Sequence, residues 1–151
     1  MFPKLRAVFW KSFRIKEYLN KEINDYYIEN IEGKVTLGVQ IRLTDMARYY
    51  NVSKLDTYTL IVNKIIMKHP KIEQVFPATD DEEIIDEFCL RTNRQVVYLK
   101  GIYRATSEKR DSVPVERLNY TRPHHNYLLG KEVIMDIFIL SRCKYILKAD
   151  I

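Results

Sequence analysis

Hydrophobic positions in the first half of the chain alternate between helical and strand spacing. Over 11–27, apolar and aromatic residues recur at three- to five-residue steps between Lys and Glu, which predicts a helix. From Val35 to Leu43 every second residue is apolar, which predicts a strand with one buried face. Helical spacing returns from Ser53 to Met67, where Ser53 with Asp56 has the form of a capping box.

The second half continues this alternation. Short strands are predicted at Val75–Thr79, Gln95–Leu99 and Tyr145–Leu147. A helix follows the first of these strands, and either Asp80 or Asp81 is placed to cap it. We therefore expect strands and helices to alternate along most of the chain.

Two further segments complete the predicted order of elements. The polar stretch over about 100–126 has no clear period, which predicts a loop. Lys131–Ser141 is apolar almost all round, so we expect a deeply packed helix. Strands that alternate with helices form a parallel sheet with helices on its faces. The sequence therefore predicts an α/β fold.

Composition is that of one ordinary globular domain. The chain has 151 residues, of which 46% are hydrophobic, and only 4 Gly and 5 Pro. The net charge of +5 suits a phosphate-bearing ligand, a nucleic acid or an anionic membrane surface, although solvated surface lysines explain it equally well. Because the basic residues are spread along the chain, we expect no nucleic-acid partner. No apolar run approaches the roughly 18 residues of a membrane span, so we expect no membrane segment in this chain.

The cysteines and histidines predict no metal site. Cys89 and Cys143 both lie in apolar stretches, where we expect small buried side chains and no disulfide. His124 and His125 are adjacent in the predicted loop, and adjacent residues seldom bind one metal ion. The redox compartment stays open.

In parallel sheets, ligands bind beyond the carboxyl ends of the strands, and the first predicted strand ends in Arg42. An Arg there can donate two parallel hydrogen bonds to a phosphate, and Gln40 points to the same face. Gln40 can hold the ligand or cap a backbone group. In the alternative for Arg42, it pairs with Asp45 to fix the turn at Thr44 and Asp45.

Three aspartates are the other candidates. Asp80 and Asp81 lie at a strand-to-helix junction, where such residues are by default helix caps, but a carboxylate there can also hold a ribose hydroxyl or a base edge. Asp136 lies inside the apolar helix, and a buried carboxylate without a donor costs several kcal/mol. Its donor is either a structural Arg or the N–H groups of a bound guanine. Neither G-x-G-x-x-G nor a P-loop motif is present.

These groups, in this order, resemble the alpha-1,6-fucosyltransferase and nodulation-fucosyltransferase family, which is related more distantly to protein O-fucosyltransferases. In that family a strand carries G-V-H-V-R-R-T-D, which corresponds to Gly38–Asp45. A later strand ends in A-T-D-D, here Ala78–Asp81, and a late helix reads roughly G-x-x-x-D-I-x-x-L-S, here within Lys131–Ser141. The resemblance covers about Val35–Leu147.

The resemblance implies the C-terminal half of a GT-B glycosyltransferase. Such an enzyme binds GDP-fucose in a Rossmann-like domain and transfers fucose to a glycan acceptor with inversion, usually with no metal, and GDP-fucose is its donor substrate rather than a cofactor. The expected domain organisation of this chain is an N-terminal helical segment over 1–34 and a Rossmann-like domain over 35–151. The compartment would be the cytoplasm in a bacterium or virus and the secretory lumen in a eukaryote.

The resemblance also implies roles for the candidate residues. Arg42 would hold the diphosphate and assist catalysis by stabilising the leaving GDP, where charge develops. Asp136 would accept hydrogen bonds from the guanine. Asp80 and Asp81 would lie near the nucleotide.

The chain departs from the family pattern at several positions. Gln40 replaces the family's His, Leu43 replaces its second Arg, and a Tyr at 49 or 50 falls where the family has a candidate general base. Pro77 would remove a ladder donor from a central strand. The family's Ser-rich nucleotide loop and acceptor-binding half are missing, so we expect the domain to be incomplete at its C-terminus. A second hypothesis stays open, that of a catalytically inactive Rossmann-like remnant with a binding or structural role.

Overall fold

A computed structural model describes residues 14–41, 54–104 and 122–148. Four helices and four strands lie in these ranges. In chain order they are α1 (Glu17–Asn30), β1 (Thr36–Ile41), α2 (Lys54–Lys68), β2 (Gln74–Thr79), α3 (Glu82–Arg91), β3 (Gln95–Val96), α4 (His125–Arg142) and β4 (Tyr145–Lys148).

The strands form one parallel sheet in the order β3-β2-β1-β4. β1 pairs with β2 over its whole length, with Ile41 opposite Thr79 at the carboxyl ends, and with β4 on its other side. The chain first builds the sheet to one side of β1 and then crosses to the other side to add β4. This is an α/β, Rossmann-like arrangement, which confirms the predicted fold class.

One face of the sheet packs against α2 and α3. The apolar face predicted for the first strand supplies Leu37, Val39 and Ile41 to this core. Val62 and Phe88, both fully buried, are contributed by α2 and α3 respectively. The strict alternation in the sequence therefore marked the α2 and α3 side of β1.

The opposite face packs against α1 and α4. Phe76 and Ala78 of β2 share this core with Ile23 of α1 and Ile139 of α4. Gly38 allows α4 to approach β1 closely, because a Cβ atom there would lie 2.9 Å from Cδ2 of Leu140 and 3.1 Å from Sγ of Cys143. The first helix and the sheet thus share one hydrophobic core.

Short connections fix the direction of α1 and α4. α1 ends at Asn30 and β1 begins at Thr36, while α4 ends at Arg142 and β4 begins at Tyr145. Both helices therefore run antiparallel to the strands, and both begin beside the carboxyl edge of the sheet. No helix in the described ranges is long and apolar enough to cross a membrane.

β3 is shorter than predicted. It ends at Val96 rather than Leu99, and it pairs with β2 only at Gln74 and Val75. Continued in the same register, the ladder would place Tyr98 opposite Pro77, which has no N–H to donate. Pro77 is therefore tolerated inside β2, because pairing with β3 stops before it.

Two predictions of burial were wrong. Cys89 is exposed, because α3 turns its buried side toward Ile84, Ile85 and Phe88, whereas Cys143 is half-buried. α4 begins at His125 rather than Lys131 and is not packed all round, since Val133 and Ile137 are about half exposed. The sheet and α1 cover only part of the apolar surface of α4, and the rest of that surface is exposed to solvent.

Candidate functional site

The structure describes four of the seven residues that the sequence singled out. Arg42, Thr44 and Asp45 lie outside the described residues. Gln40 is exposed near the end of β1, where it pairs in register with Ala78 and Lys148 of the flanking strands.

Asp81 is the N-cap of α3. Its Oδ1 accepts a hydrogen bond from the Ile84 N–H at 3.2 Å, and its own N–H donates to Oγ1 of Thr79 at 3.3 Å. Glu82 and Glu83 add negative charge to the first turn, where the helix dipole favours it. Since Asp81 is fully buried, we assign this side chain to the fold.

Asp136 lies on α4, directly after the buried Met135. It is half-buried, and its Oδ1 is enclosed without a hydrogen-bond partner within the described residues. Burial raises the pKa of Asp136 to about 7, the Arg104 guanidinium acts in the opposite direction, and the carboxylates of Glu132 and Asp80 raise the pKa further. The structure therefore brings Asp80 and Asp136, two of the predicted residues, into one electrostatic cluster.

Arg104 is the cation of this cluster. Its side chain is 2% exposed, with Nε donating to the Thr79 carbonyl at 3.2 Å and Nη2 to the Leu99 carbonyl at 2.9 Å. Nη1 lies 3.5 Å from Oε2 of Glu82. Arg104 thus secures the carboxyl end of β2 and presents charge to Asp136 without a hydrogen bond to it.

Sequence reasoning required a donor for Asp136 but did not find Arg104. The stretch over 100–126 contains five Lys and Arg residues besides Lys100, and it has no period by which to rank them. The one available signal is position, because Arg104 follows closely after the strand that neighbours β2. The sequence left two alternatives for the donor of Asp136, a structural Arg or a bound guanine. A structural Arg, Arg104, does lie near Asp136, but it donates no hydrogen bond to Oδ1.

Tyr26 of α1 completes the cluster. Its hydroxyl is buried and has no hydrogen-bond partner in the described part of the chain. Burial and then the Asp136 carboxylate raise the pKa of Tyr26, while Arg104 lowers it. The ring packs edge-on against Phe76 at a centroid distance of 6.1 Å. Tyr26 Oη and Asp136 Oδ1 are therefore two enclosed polar atoms without hydrogen-bond partners among the described residues, and their side chains interact electrostatically.

A second polar group lies one turn away, toward the start of α4. Arg122 forms a bidentate ion pair with Glu132, with N–O distances of 2.7 and 3.2 Å. The guanidinium also lies 5.4 Å from the ring centroid of Tyr103, which in turn meets His125 edge-on at 5.4 Å. Burial and the neighbouring Arg122 charge lower the pKa of His125. This group stabilises the entry into α4.

The histidine pair has separate structural roles. His124 is the N-cap of α4, with a left-handed φ of 54°, and His125 is the first helical residue. Nowhere in the described ranges do three or more His, Cys, Asp or Glu side chains come together as metal ligands. The chemistry of the cluster is therefore that of carboxylates, one guanidinium and one phenol.

The carboxylates of this cluster are hydrogen-bond acceptors, which N–H donors would satisfy. The carboxylates of Asp80 and Asp136 lie beside the carboxyl end of β2, and Arg104 offsets part of their mutual repulsion. Gln40, on the neighbouring strand, is open to solvent.

Comparison of the chain with protein-family models and with curated proteins found no match.

Proposed function

We propose that this chain is a fucosyltransferase-like domain that binds GDP-fucose, for transfer of fucose to a glycan acceptor. The observation that carries the proposal is the enclosed Oδ1 of Asp136, which lacks a donor among the described residues beside the carboxyl edge of a Rossmann-like sheet. Ligands of such sheets bind at that edge.

A guanine base would supply what Asp136 lacks. An enclosed carboxylate oxygen without a donor costs on the order of 1–3 kcal/mol or more, and a ligand that donates to it recovers that cost. Guanine carries adjacent N1–H and N2–H donors, which match the two oxygens of a carboxylate. Adenine has no such pair, so Asp136 would select guanine.

The strand order supports a place for the diphosphate. The order reverses between β1 and β4, and nucleotides bind Rossmann-like sheets in the crevice at such a reversal. Arg42 directly follows Ile41, the last residue of β1. Its guanidinium would bind the phosphates in a bidentate manner and stabilise the charge on the departing GDP.

The proposed reaction breaks the bond between the anomeric carbon of fucose and the diphosphate oxygen. An acceptor hydroxyl forms the new bond from the opposite face, its proton leaves to a base, and GDP departs with the electron pair. Gln40 and Asp80 flank the proposed nucleotide site, the first exposed and the second half-buried. The resemblance of Gly38–Asp45 and Ala78–Asp81 to fucosyltransferase motifs is the reason for proposing fucose as the transferred sugar and a glycan as the acceptor.

Isothermal titration calorimetry with GDP, GDP-fucose and ADP tests this function. We expect both guanine nucleotides to bind, and ADP to bind at least tenfold more weakly. Arg42→Ala should weaken the binding of GDP more than the binding of guanosine, because the substitution removes a phosphate contact. Absence of heat with GDP and GDP-fucose, from protein shown to be folded by circular dichroism, would exclude nucleotide binding.

The alternative is a catalytically inactive module of the same fold. It is favoured by Leu43, which replaces the second Arg of the family motif and so removes one cationic phosphate contact. Such a module gives no release of GDP from GDP-fucose with any glycan acceptor. GDP binding without release over a panel of acceptors would support the inactive module, and release would support the enzyme.

A further inference from the structure

A groove of about 360 Å³ lies between the start of α1 and the start of α4. We propose that this basic groove binds a small phosphorylated sugar. Six of its lining residues carry the inference: Arg14, Lys16, Tyr18, Tyr127, Gly130 and Lys131. The volume falls at the lower end of the ~300–1,000 Å³ typical of small-molecule sites, which suits a single sugar with its phosphate.

The charge of the groove favours an anion. Arg14, Lys16 and Lys131 line it, and no Asp or Glu does. Arg14 and Lys16 are exposed, whereas Lys131 is held in place by Glu22, with an N–O distance of 2.5 Å. Because Glu22 compensates the charge of Lys131, the positive potential of the groove comes chiefly from Arg14 and Lys16.

Two helix N-termini reinforce that potential. α1 and α4 both begin at the basic groove, and neither N-cap residue, Lys16 or His124, makes a side-chain cap hydrogen bond. The first turn of α4 contains no acidic residue, although α1 has Glu17. N-terminal N–H groups and the positive ends of helix dipoles bind phosphate well.

Two tyrosines supply a surface for a sugar ring. Tyr18 of α1 and Tyr127 of α4 both line the basic groove, are 44% and 54% exposed, and are hydrogen-bonded to each other through their hydroxyls. A tyrosine combines a flat apolar ring with a polar hydroxyl, which suits the mixed faces of a sugar.

Gly130 keeps the basic groove open. Glycine inside a helix destabilises it relative to alanine, so its presence calls for a local reason. Packing gives none, because a Cβ atom at Gly130 would meet no other atom within 4 Å. A larger side chain at this position would instead project toward the space that the ligand is proposed to occupy.

The basic groove is distinct from the proposed nucleotide site. Ile134 lines the basic groove, whereas Asp136, two residues later on α4, interacts electrostatically with Arg104 and Asp80 and does not line the groove. Residues two apart on a helix point in widely different directions. Loss of GDP binding would therefore leave this inference standing, and the reverse also holds.

Titration of the ¹⁵N-labelled full chain with glucose 6-phosphate, glucose and inorganic phosphate tests the inference. We expect saturable shifts of the Tyr127 and Lys131 amides with glucose 6-phosphate, and at least tenfold weaker binding of the other two probes. Gly130→Leu should fill part of the groove and weaken the binding of glucose 6-phosphate at least tenfold. The double variant Arg14→Gln/Lys16→Gln should weaken it to the same extent without filling the groove. Lys34→Gln, an exposed control outside the groove, should leave binding unchanged.

Three results would overturn the inference. Equal affinity for inorganic phosphate and glucose 6-phosphate would show that the groove does not recognise the sugar. Unchanged binding in the folded Gly130→Leu and Arg14→Gln/Lys16→Gln variants would place the ligand elsewhere. Loss of binding in Asp136→Asn, or displacement of the sugar phosphate by GDP, would make the basic groove part of the nucleotide site.

Discussion

Tyr26 on α1 and Asp136 on α4 interact electrostatically, since the Asp136 carboxylate is, after burial, the largest cause of the raised pKa of Tyr26. Neither Tyr26 Oη nor Asp136 Oδ1 has a hydrogen-bond partner in the described ranges. Both groups adjoin Arg104, which is committed to backbone carbonyls of Thr79 and Leu99. α1 and α4 thus enclose two polar atoms that form no hydrogen bond within the described part of the chain.

Stability should depend on pH through Asp136. Its pKa rises from 3.8 to about 7 on folding, so the folded state holds a proton that the unfolded state releases. The stabilisation is fully present below pH 3.8 and is lost as the pH rises to about 7, a change on the order of 2–4 kcal/mol. Urea unfolding at several pH values between 4 and 8 measures it.

The matched variant is Asp136→Asn, which cannot titrate. The difference in unfolding free energy, wild type minus variant, should fall steadily from pH 4 to pH 7 and then level off. Parallel stability curves for the two proteins would contradict a raised Asp136 pKa, whatever other carboxylates do, because those are common to both.

The ion pair between Arg122 and Glu132 should stabilise the start of α4. Both oxygens of Glu132 are engaged, and its side chain is 11% exposed. Glu132→Ala leaves Arg122 without its counter-charge, so we expect a loss of about 2–3 kcal/mol in the free energy of unfolding. Chemical denaturation provides the measurement.

Lys21→Ala is the control for that loss. Lys21 and Asp25 form an exposed i,i+4 pair, whose removal should cost less than about 0.5 kcal/mol. The double change Arg122→Met/Glu132→Leu should cost less than Glu132→Ala alone, because it leaves no partner uncompensated. Equal losses for Glu132→Ala and Lys21→Ala would show that the pair is worth no more than a surface contact.

Two glycine-to-alanine changes should have opposite signs. A Cβ at Gly38 would press against Leu140 and lie 3.2 Å from Cβ of Cys143, so Gly38→Ala should destabilise by about 1–3 kcal/mol. Gly130→Ala meets no neighbour and improves helix propensity, so it should stabilise by about 0.5–1 kcal/mol. Thermal unfolding of both variants provides the measurement, and an unchanged or raised stability of Gly38→Ala would contradict the close packing of α4 on β1.

The two adjacent aspartates should separate by role. Asp81→Ala removes the α3 cap and should cost about 0.5–2 kcal/mol, while Asp81→Asn keeps an acceptor and should cost less. Asp80→Asn should weaken GDP binding, because it removes one carboxylate of the electrostatic cluster around Asp136. Denaturation with calorimetry of GDP on each variant distinguishes them, and equal effects on both readouts would contradict the division.

Periodicity predicted the fold because burial imposes it. The alternation from Val35 to Ile41 follows one buried face of β1, and the helical spacing after Ser53 follows the buried side of α2. The end of β3 was not predicted, since it depends on Pro77 in the neighbouring strand rather than on residues 97–99. Local patterns do not contain such pairings.

The candidate site was predictable in part for a related reason. Asp136 stood out because a carboxylate in an apolar helix breaks the pattern, and Asp81 was recognisable as a cap from its place after a strand. Arg104 and Tyr26 gave no such signal, because their positions follow from how α1 and the segment after β3 pack on β2. A site assembled from distant segments becomes visible only in the fold.

Nucleobase selectivity in Asp136→Asn tests the proposed nucleotide site most directly. Calorimetry at pH 8, where the carboxylate is ionised, should show GDP binding to the wild type at least tenfold more tightly than ADP. Asp136→Asn should lose about 10- to 100-fold in GDP affinity, as expected for charged hydrogen bonds, with ADP affinity unchanged. Equal GDP binding by the folded wild type and Asp136→Asn would contradict the assignment of Asp136 to the guanine.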